Sequence, residues 1–297
     1  MKKKEKKMSD KKKWSKKKKV VVISLSVIAA LLLVLIIVAL ILAYNLWYKT
    51  PDREPIKTTQ QVTLIAHRGY NCLAPENTVP AFEKAGEYDF WGAECDIYRT
   101  ADGVWVVSHD VNTLRMMDKI ANIEKKTLAE LQEMNVDNGA NVKDYNSLKI
   151  CTFEEYLKIC KANNMTAIIE LKGENNTEHY DEIIKLVSDY GVDCQYISFH
   201  MENLIKLREL TDAPLFYLVQ EISQESIDEA LKLEGCGISF NGNKDQNFEP
   251  DENGKNMVAK CIDAGLPVAS WTIDTTEALD RLVENGVTTI TTNTISH

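Results

Sequence analysis

The stretch "VTLIAHRGYNCLAPENT", residues 62–78, opens as a buried strand and then changes character. Val62, Leu64 and Ile65 suit a strand packed on both faces, but His67-Arg68-Gly69 follows them without any ordinary turn chemistry. An imidazole and a guanidinium therefore stand where the strand leaves the core, ahead of Pro75-Glu76-Asn77-Thr78. In folds made of parallel strands wrapped by helices, the C-terminal ends of the strands carry the chemistry. Whether this strand belongs to such a fold depends on what repeats after it.

Working outward, apolar runs recur with helical patterns between them. They are "VTLIAH" (62–67), "WGAECDIYRT" (91–100), "TAIIELK" (166–172), "QYISFH" (195–200), "PLFYLVQ" (214–220), "CGISFN" (236–241), "PVASWTID" (267–274) and "TTITTN" (288–293). Phe153, Tyr156, Leu157 and Cys160 have helical spacing, as do Tyr180, Ile183, Ile184 and Val187 ahead of Tyr190-Gly191. Asp274 precedes Glu277 by three, the spacing of a capping box, and Gly286 is expected to close that helix. Eight strand–helix alternations over about 235 residues predict an α/β fold, a (β/α)8 TIM barrel. An open doubly wound sheet is the competing architecture, but it calls for a Gly-rich phosphate turn after an early strand, and none is present. "GVWVVSHD" and the polar residues to about 150 predict a small insertion after strand 2, and the chain leaves no room for a helix after the eighth strand.

The barrel is expected to be preceded by a single transmembrane helix. Residues 1–19 hold twelve Lys against one Glu and one Asp, a net of +10, so the chain's −9 leaves −19 on the remainder. No charged residue occurs from Val20 to Tyr48, long enough for a membrane span of roughly 20 residues. A cleaved signal peptide would have a shorter apolar region and a small-x-small site. The lysine block is expected to stay cytoplasmic, placing the rest outside the cell membrane, with Trp47 and Tyr48 at the outer interface. The predicted division is a basic cytoplasmic segment 1–19, a transmembrane helix 20–44, a linker 45–61 and a barrel 62–297 with its insertion at about 110–150. The acidic remainder argues against nucleic acid as a partner. Seven cysteines without a C-x-x-C pair read as single buried thiols, with few or no disulfides.

Polar residues gather at the strand ends. His67 ends the first, Glu94 and Asp96 lie on the second with His109 shortly after, Glu170 and Lys172 lie on the third, and Trp271 on the seventh. Residues two apart on a strand face the same way, so Glu94 pairs with Asp96 and Glu170 with Lys172. Three inward carboxylates repel one another unless a cation lies among them, and hard oxygen ligands select Ca²⁺ or Mg²⁺ over zinc. The competing reading turns one of these acids outward into an ion pair. Imidazole ordinarily titrates near neutrality, so His67 and His109 suit proton transfer, while Arg68 and Lys172 suit an anion. His200 reads as structural, and Trp271 as either core or pocket wall. There is no nucleophile elbow, P-loop or zinc spacing. A divalent cation, an acid–base pair and cationic clamps point to phosphoryl transfer or hydrolysis.

"AHRG" with "PENT", "ECDIYRTADGVWVVSHD", "IIELK" and "SWTID" together resemble the glycerophosphodiester phosphodiesterase family over about residues 62–293. The resemblance implies a (β/α)8 barrel with an insertion after its second strand, and metal-dependent hydrolysis of a glycerophosphodiester to glycerol 3-phosphate and an alcohol. By motif it implies metal binding by Glu94, Asp96 and Glu170, with one divalent cation, Ca²⁺ or Mg²⁺. It implies His67 and His109 as the acid–base pair, Arg68 and Lys172 on the phosphate, Asn77 and Glu76 ordering the first loop beside the substrate, and Trp271 lining the pocket. The partners implied are a glycerophosphodiester or lysolipid substrate and the membrane. A related barrel phospholipase and a non-catalytic binding module are the alternative readings. This chain departs from the family's Thr-Asp-x-Pro after the eighth strand, reading "TTNTISH", and carries "TLRMMDK" in place of Leu-x-Arg-x-Thr in the insertion.

Overall fold

The computed structural model describes residues 16–47, 53–172 and 177–297, in two units, 1–49 and 50–297. In the first unit a single helix runs Lys16–Trp47. Its window Ile23–Leu40 has a mean hydropathy of 3.2 and none of it is buried against protein, so by length and composition the helix can cross a membrane. The expectations for residues 1–15 and for Tyr48 lie outside the described residues.

In the second unit eight parallel strands close on themselves. They are β1 (Thr63–Ala66), β2 (Gly92–Arg99), β3 (Thr166–Leu171), β4 (Cys194–Ser198), β5 (Leu215–Val219), β6 (Cys236–Asn241), β7 (Val268–Trp271) and β8 (Thr289–Thr292). Closure comes from β8 on β1, with Thr289 opposite Thr63 and Thr292 opposite Ala66, and from β1 on β2. Helices α1 (Val79–Glu87), α2 (Phe153–Ala162), α3 (Tyr180–Tyr190) and α4 (Met201–Arg208) follow the first four strands. Helices α5 (Gln224–Lys232), α6 (Met257–Asp263) and α7 (Thr276–Glu284) follow the next three. This is a (β/α)8 barrel, and the interior is packed: Ile65, Ile168, Ile197, Phe216, Leu218 and Ala269 fill it below Trp271. A larger core lies between strands and helices.

The insertion after β2 begins with a strand, Trp105–Val107, antiparallel to β2. Its own small core of Val106, Met117, Ile123, Leu131, Met134, Val136 and Ile150 holds the remainder of the insertion together. All seven cysteines are unpaired.

Two local readings differ from expectation. Helix α7 is capped by Thr275, whose side chain accepts from the Ala278 amide, and Asp274 is turned elsewhere. A capping box is a purely local device, and here a partner distant in sequence takes the carboxylate instead. The second difference concerns the seam. In place of the usual final helix after β8, Ile295–Ser296 pairs in parallel with Ile56–Lys57, a two-residue strand inside the stretch read as linker. This ribbon brings the fully buried Ile295 onto the outer core beside Tyr70, whose hydroxyl donates to the Thr294 carbonyl at 2.9 Å.

Candidate active site

The strand ends and the loops after them enclose a cleft of about 240 Å³, lined on one side by His67, Arg68, Glu94, His109, Glu170 and Lys172. The other side is Ile197, Phe199, Leu218 and Trp271. Glu94 and Asp96 do share the inward face of β2, and the β2–β3 register sets Asp96 opposite Glu170. One oxygen from each of the three lies within 4.8 Å of the others, all three buried. The Glu94 Oε2 atom accepts from the Arg68 amide at 2.8 Å, and Asp96 Oδ2 accepts from Asn77 Nδ2 at 2.8 Å. Glu94 Oε1 and Asp96 Oδ1 are buried without a hydrogen bond. Lys172 Nζ approaches that Asp96 oxygen at 3.0 Å as a charge contact and donates to Glu170 at 2.7 Å.

The unpartnered Glu94 Oε1, with the hard-donor set, fits a divalent cation. Electrostatics says the same. Burial, then Asp96 and Glu170, push Glu94 well above the carboxylate range. Glu170 is pushed up to about 7 by burial and by Asp96. For Asp96 burial acts upward as well, but Lys172 and Arg68 outweigh it and hold the group well down. Three acids this close cannot all ionise comfortably beside only two cations, and a metal resolves that conflict.

The backbone places Arg68 through an unusual turn. Arg68 and Gly69 both have positive φ, 57° and 76°. A Cβ on Gly69 would lie 2.6 Å from the Ala81 carbonyl carbon in α1, so only glycine lets the loop lie this close to the helix. Asn77, also at positive φ, returns its amide to Arg68's carbonyl at 2.9 Å. Asn77 donates to Asp96 and is not among the residues that line the main cleft. Arg68 and Lys172 line it, as does Trp271, whose indole donates to the Ser239 carbonyl and stands edge-on to Phe199 at 5.4 Å. His200, read as structural, stands at the N-terminal end of α4.

Residues 67–297 match the glycerophosphoryl diester phosphodiesterase family. The chain belongs to this family. The glycerophosphodiester phosphodiesterase 1 of Bos taurus is 32% identical over 119 residues, covering 40% of this chain and 36% of the relative. A glycerophosphodiester phosphodiesterase of Caldanaerobacter subterraneus subsp. tengcongensis is 26% identical over 240 residues, covering 77% and 93%. Among solved structures, an Oleispira antarctica phosphodiesterase in complex with the product sn-glycerol-3-phosphate shares the fold with a TM-score of 0.70 at 24% identity, covering 78% of this chain and 92% of that one. Matches to three mycoplasmal and mammalian relatives cover 64%, 36% and 47% of those proteins' lengths.

In this member of the glycerophosphoryl diester phosphodiesterase family, both histidines are held at Nδ1, each by a different kind of group. His109 Nδ1 meets Asp110 Oδ1 at 2.8 Å, and His67 Nδ1 meets Asn293 Oδ1 at 2.8 Å. Burial, then the charge of Arg68, push His67 down to about 3. Arg115 from the insertion links the two sides: its Nε donates to Asp110 at 2.7 Å and its Nη2 to Glu76 at 2.6 Å, while Arg68 Nη1 donates to the same Glu76 oxygen at 2.8 Å. Asn293, Asp274 and Arg115 were not among the residues chosen from sequence. Asn293 ends β8 as the other chosen residues end their strands, so the same rule applied to the last strand finds it.

Proposed function

We propose that this chain hydrolyses glycerophosphodiesters to glycerol 3-phosphate and an alcohol, and the observation that carries the reading is one cleft lined by two histidines, two carboxylates and two cations, with Asp96 grouped beside Glu94 and Glu170. A divalent cation, when held by Glu94, Asp96 and Glu170, supplies charge neutralisation at a phosphate oxygen. Arg68 and Lys172 line the cleft beside those acids and hold the phosphodiester by its remaining oxygens. His67 and His109 act as the acid–base pair: one takes the proton of the attacking hydroxyl, the other returns a proton to the leaving alkoxide as the P–O bond breaks. Water opens any cyclic phosphate formed by a substrate hydroxyl, so the net reaction consumes one water and releases one alcohol. Asn77 and Glu76 act from behind, ordering the loop that presents Arg68.

The apolar half of the cleft, Phe199 and Trp271 with Ile197 and Leu218, receives the alcohol side of the substrate. With the apolar N-terminal helix, this favours a second reading, a lysolipid substrate, in which a long acyl or alkyl chain leaves the cleft on that side. The same helix supports a single-pass anchor in the cell membrane, with residues 1–19 cytoplasmic, 20–44 spanning, 45–61 linking and the barrel of 62–297 outside.

The test is the full chain in mild detergent, incubated with glycerophosphodiesters of varied head group and with lysolipids, with Ca²⁺, with Mg²⁺ and with excess chelator. Metal-dependent release of glycerol 3-phosphate is expected. Release of a phosphorylated head group or a lysophosphatidic product instead supports the lipid reading, and no release under either metal from folded protein defeats both.

A further inference from the structure

The exit of β8 carries a relay that ends on His67. Asp274, just beyond β7, accepts twice from Asn293: its Oδ1 from the Asn293 amide N–H at 2.8 Å, and its Oδ2 from Asn293 Nδ2 at 2.6 Å. On the other edge of the same side chain, Asn293 Oδ1 accepts from Asn71 Nδ2 at 2.6 Å and meets His67 Nδ1 at 2.8 Å. The amide orientation follows from chemistry. Turned over, its NH₂ would face the Asn71 donor and its oxygen would face a carboxylate, two repulsive contacts in place of two hydrogen bonds. With the oxygen fixed toward the imidazole, His67 Nδ1 must carry the proton, because an amide oxygen only accepts. Asn71 Nδ2 also donates to the His67 carbonyl at 2.9 Å, tying ring and backbone to one neighbour. Asn293 itself is 4% exposed, so solvent does not compete for these contacts.

We propose that Asn293 and Asp274 are positioning residues for His67: the carboxylate orients the amide, and the amide holds the imidazole as the Nδ1–H tautomer, leaving Nε2 as its unprotonated nitrogen. This rests on the acid–base role proposed for His67. It adds that the role is set by two side chains from the seventh and eighth strand ends that need not touch substrate. A histidine in the wrong tautomer offers a proton where a lone pair is needed, and an intact ring geometry does not repair that.

The experiment uses the full chain in detergent with ¹⁵N-labelled histidine. The chain has only five histidines, and His67→Ala identifies the relevant signal by its loss. Long-range ¹H–¹⁵N correlation then reads the tautomer directly, and kinetics are read on the same variants. Wild type is expected to show Nδ1–H at His67. Asn293→Leu is expected to lose that preference and lower kcat about 10–100-fold with KM changed less than about threefold. Asn293→Asp keeps an acceptor toward His67 but sets a second carboxylate oxygen against Asp274 Oδ2, so it should recover only part of the loss. Asp274→Asn, at a partly exposed site, confronts one Asn293 donor with an NH₂ and should fall between wild type and Asn293→Leu. It carries the test if Asn293→Leu does not fold. An Nε2–H signal in the wild type overturns the proposal. Turnover of Asn293→Leu within about threefold of wild type, beside an inactive His67→Ala, also overturns it while sparing the acid–base reading. Full turnover of His67→Ala defeats that reading and the proposal with it.

Discussion

Replacing Glu76 by Gln removes one charge from the middle of a buried cluster while leaving its shape. Glu76 is 7% exposed and accepts from Arg68 Nη1 at 2.8 Å and from Arg115 at 2.6 and 2.9 Å. Burial alone would raise its pKa, but Arg68 and Arg115 outweigh burial and lower it from 4.5 to about 2. A carboxyl with that depression stabilises the fold by about 3 kcal/mol at neutral pH. The independent scale for breaking a buried ion pair, about 3–5 kcal/mol, agrees. Because the folded pKa is the lower one, the contribution is complete above the unfolded value and is lost as pH falls toward 2. Glu76→Gln should therefore melt about 6–12 °C below wild type at pH 7, at roughly 2–4 °C per kcal/mol for a unit of this size. By pH 3 the gap should shrink to less than about half its neutral value, because the carboxyl of the unfolded chain protonates while the folded one stays ionised. Paired thermal melts across that pH range check it. A variant melting within about 2 °C of wild type at pH 7, or a gap that does not narrow in acid, would refute the reasoning.

His67→Ala and His109→Ala should each lower turnover by at least about a hundredfold with melting curves close to wild type, and activity within about threefold in either removes that residue from the chemistry. Gly69→Ala forces a left-handed residue against the backbone of α1, at 2.6 Å from Ala81, and should cost about 3 kcal/mol or more in denaturant titrations, where a loss under about 1 kcal/mol would contradict the close packing. Glu170 has its pKa raised to about 7, and burial with Asp96 and Glu170 raises Glu94 well above the carboxylate range, so metal binding must displace protons from this cluster. Affinity for Mg²⁺ or Ca²⁺, read by calorimetry, should therefore rise from pH 6 to pH 8, by up to about tenfold per pH unit for each proton released. A flat profile would mean that these carboxylates are not the ligands.

The strand ends were legible because each breaks an apolar run with a polar residue, and that rule needs only the linear sequence. What joins the ends was not. Asp96 lies opposite Glu170 because of the β2–β3 register, which neither segment encodes by itself. Asp274 looked like half of a capping box because the local spacing fits one; Asn293 outbids the helix for it through two hydrogen bonds from another strand. Asn293 stands in "TTNTISH", which lacks the family's Thr-Asp-x-Pro, and its partners His67 and Asn71 lie more than 200 residues away in sequence. Arg115 lies in an insertion with no periodicity to orient it. Two residues at 56–57, next to a proline and polar neighbours, give no strand signal at all.

The ribbon of Ile56–Lys57 and Ile295–Ser296 bears on how the barrel could be freed from its N-terminal helix by proteolysis. A cut at residues 48–52 leaves both strands of the ribbon, with Arg53 still 3.6 Å from Asp274. A cut a few residues later, between 57 and 62, removes one strand, exposes the edge of the other and uncovers the buried Ile295 beside the β8 exit that holds His67. Two nearby cleavage sites would thus shed two different products, one a barrel with its seam closed and the other a barrel with an open, sticky seam.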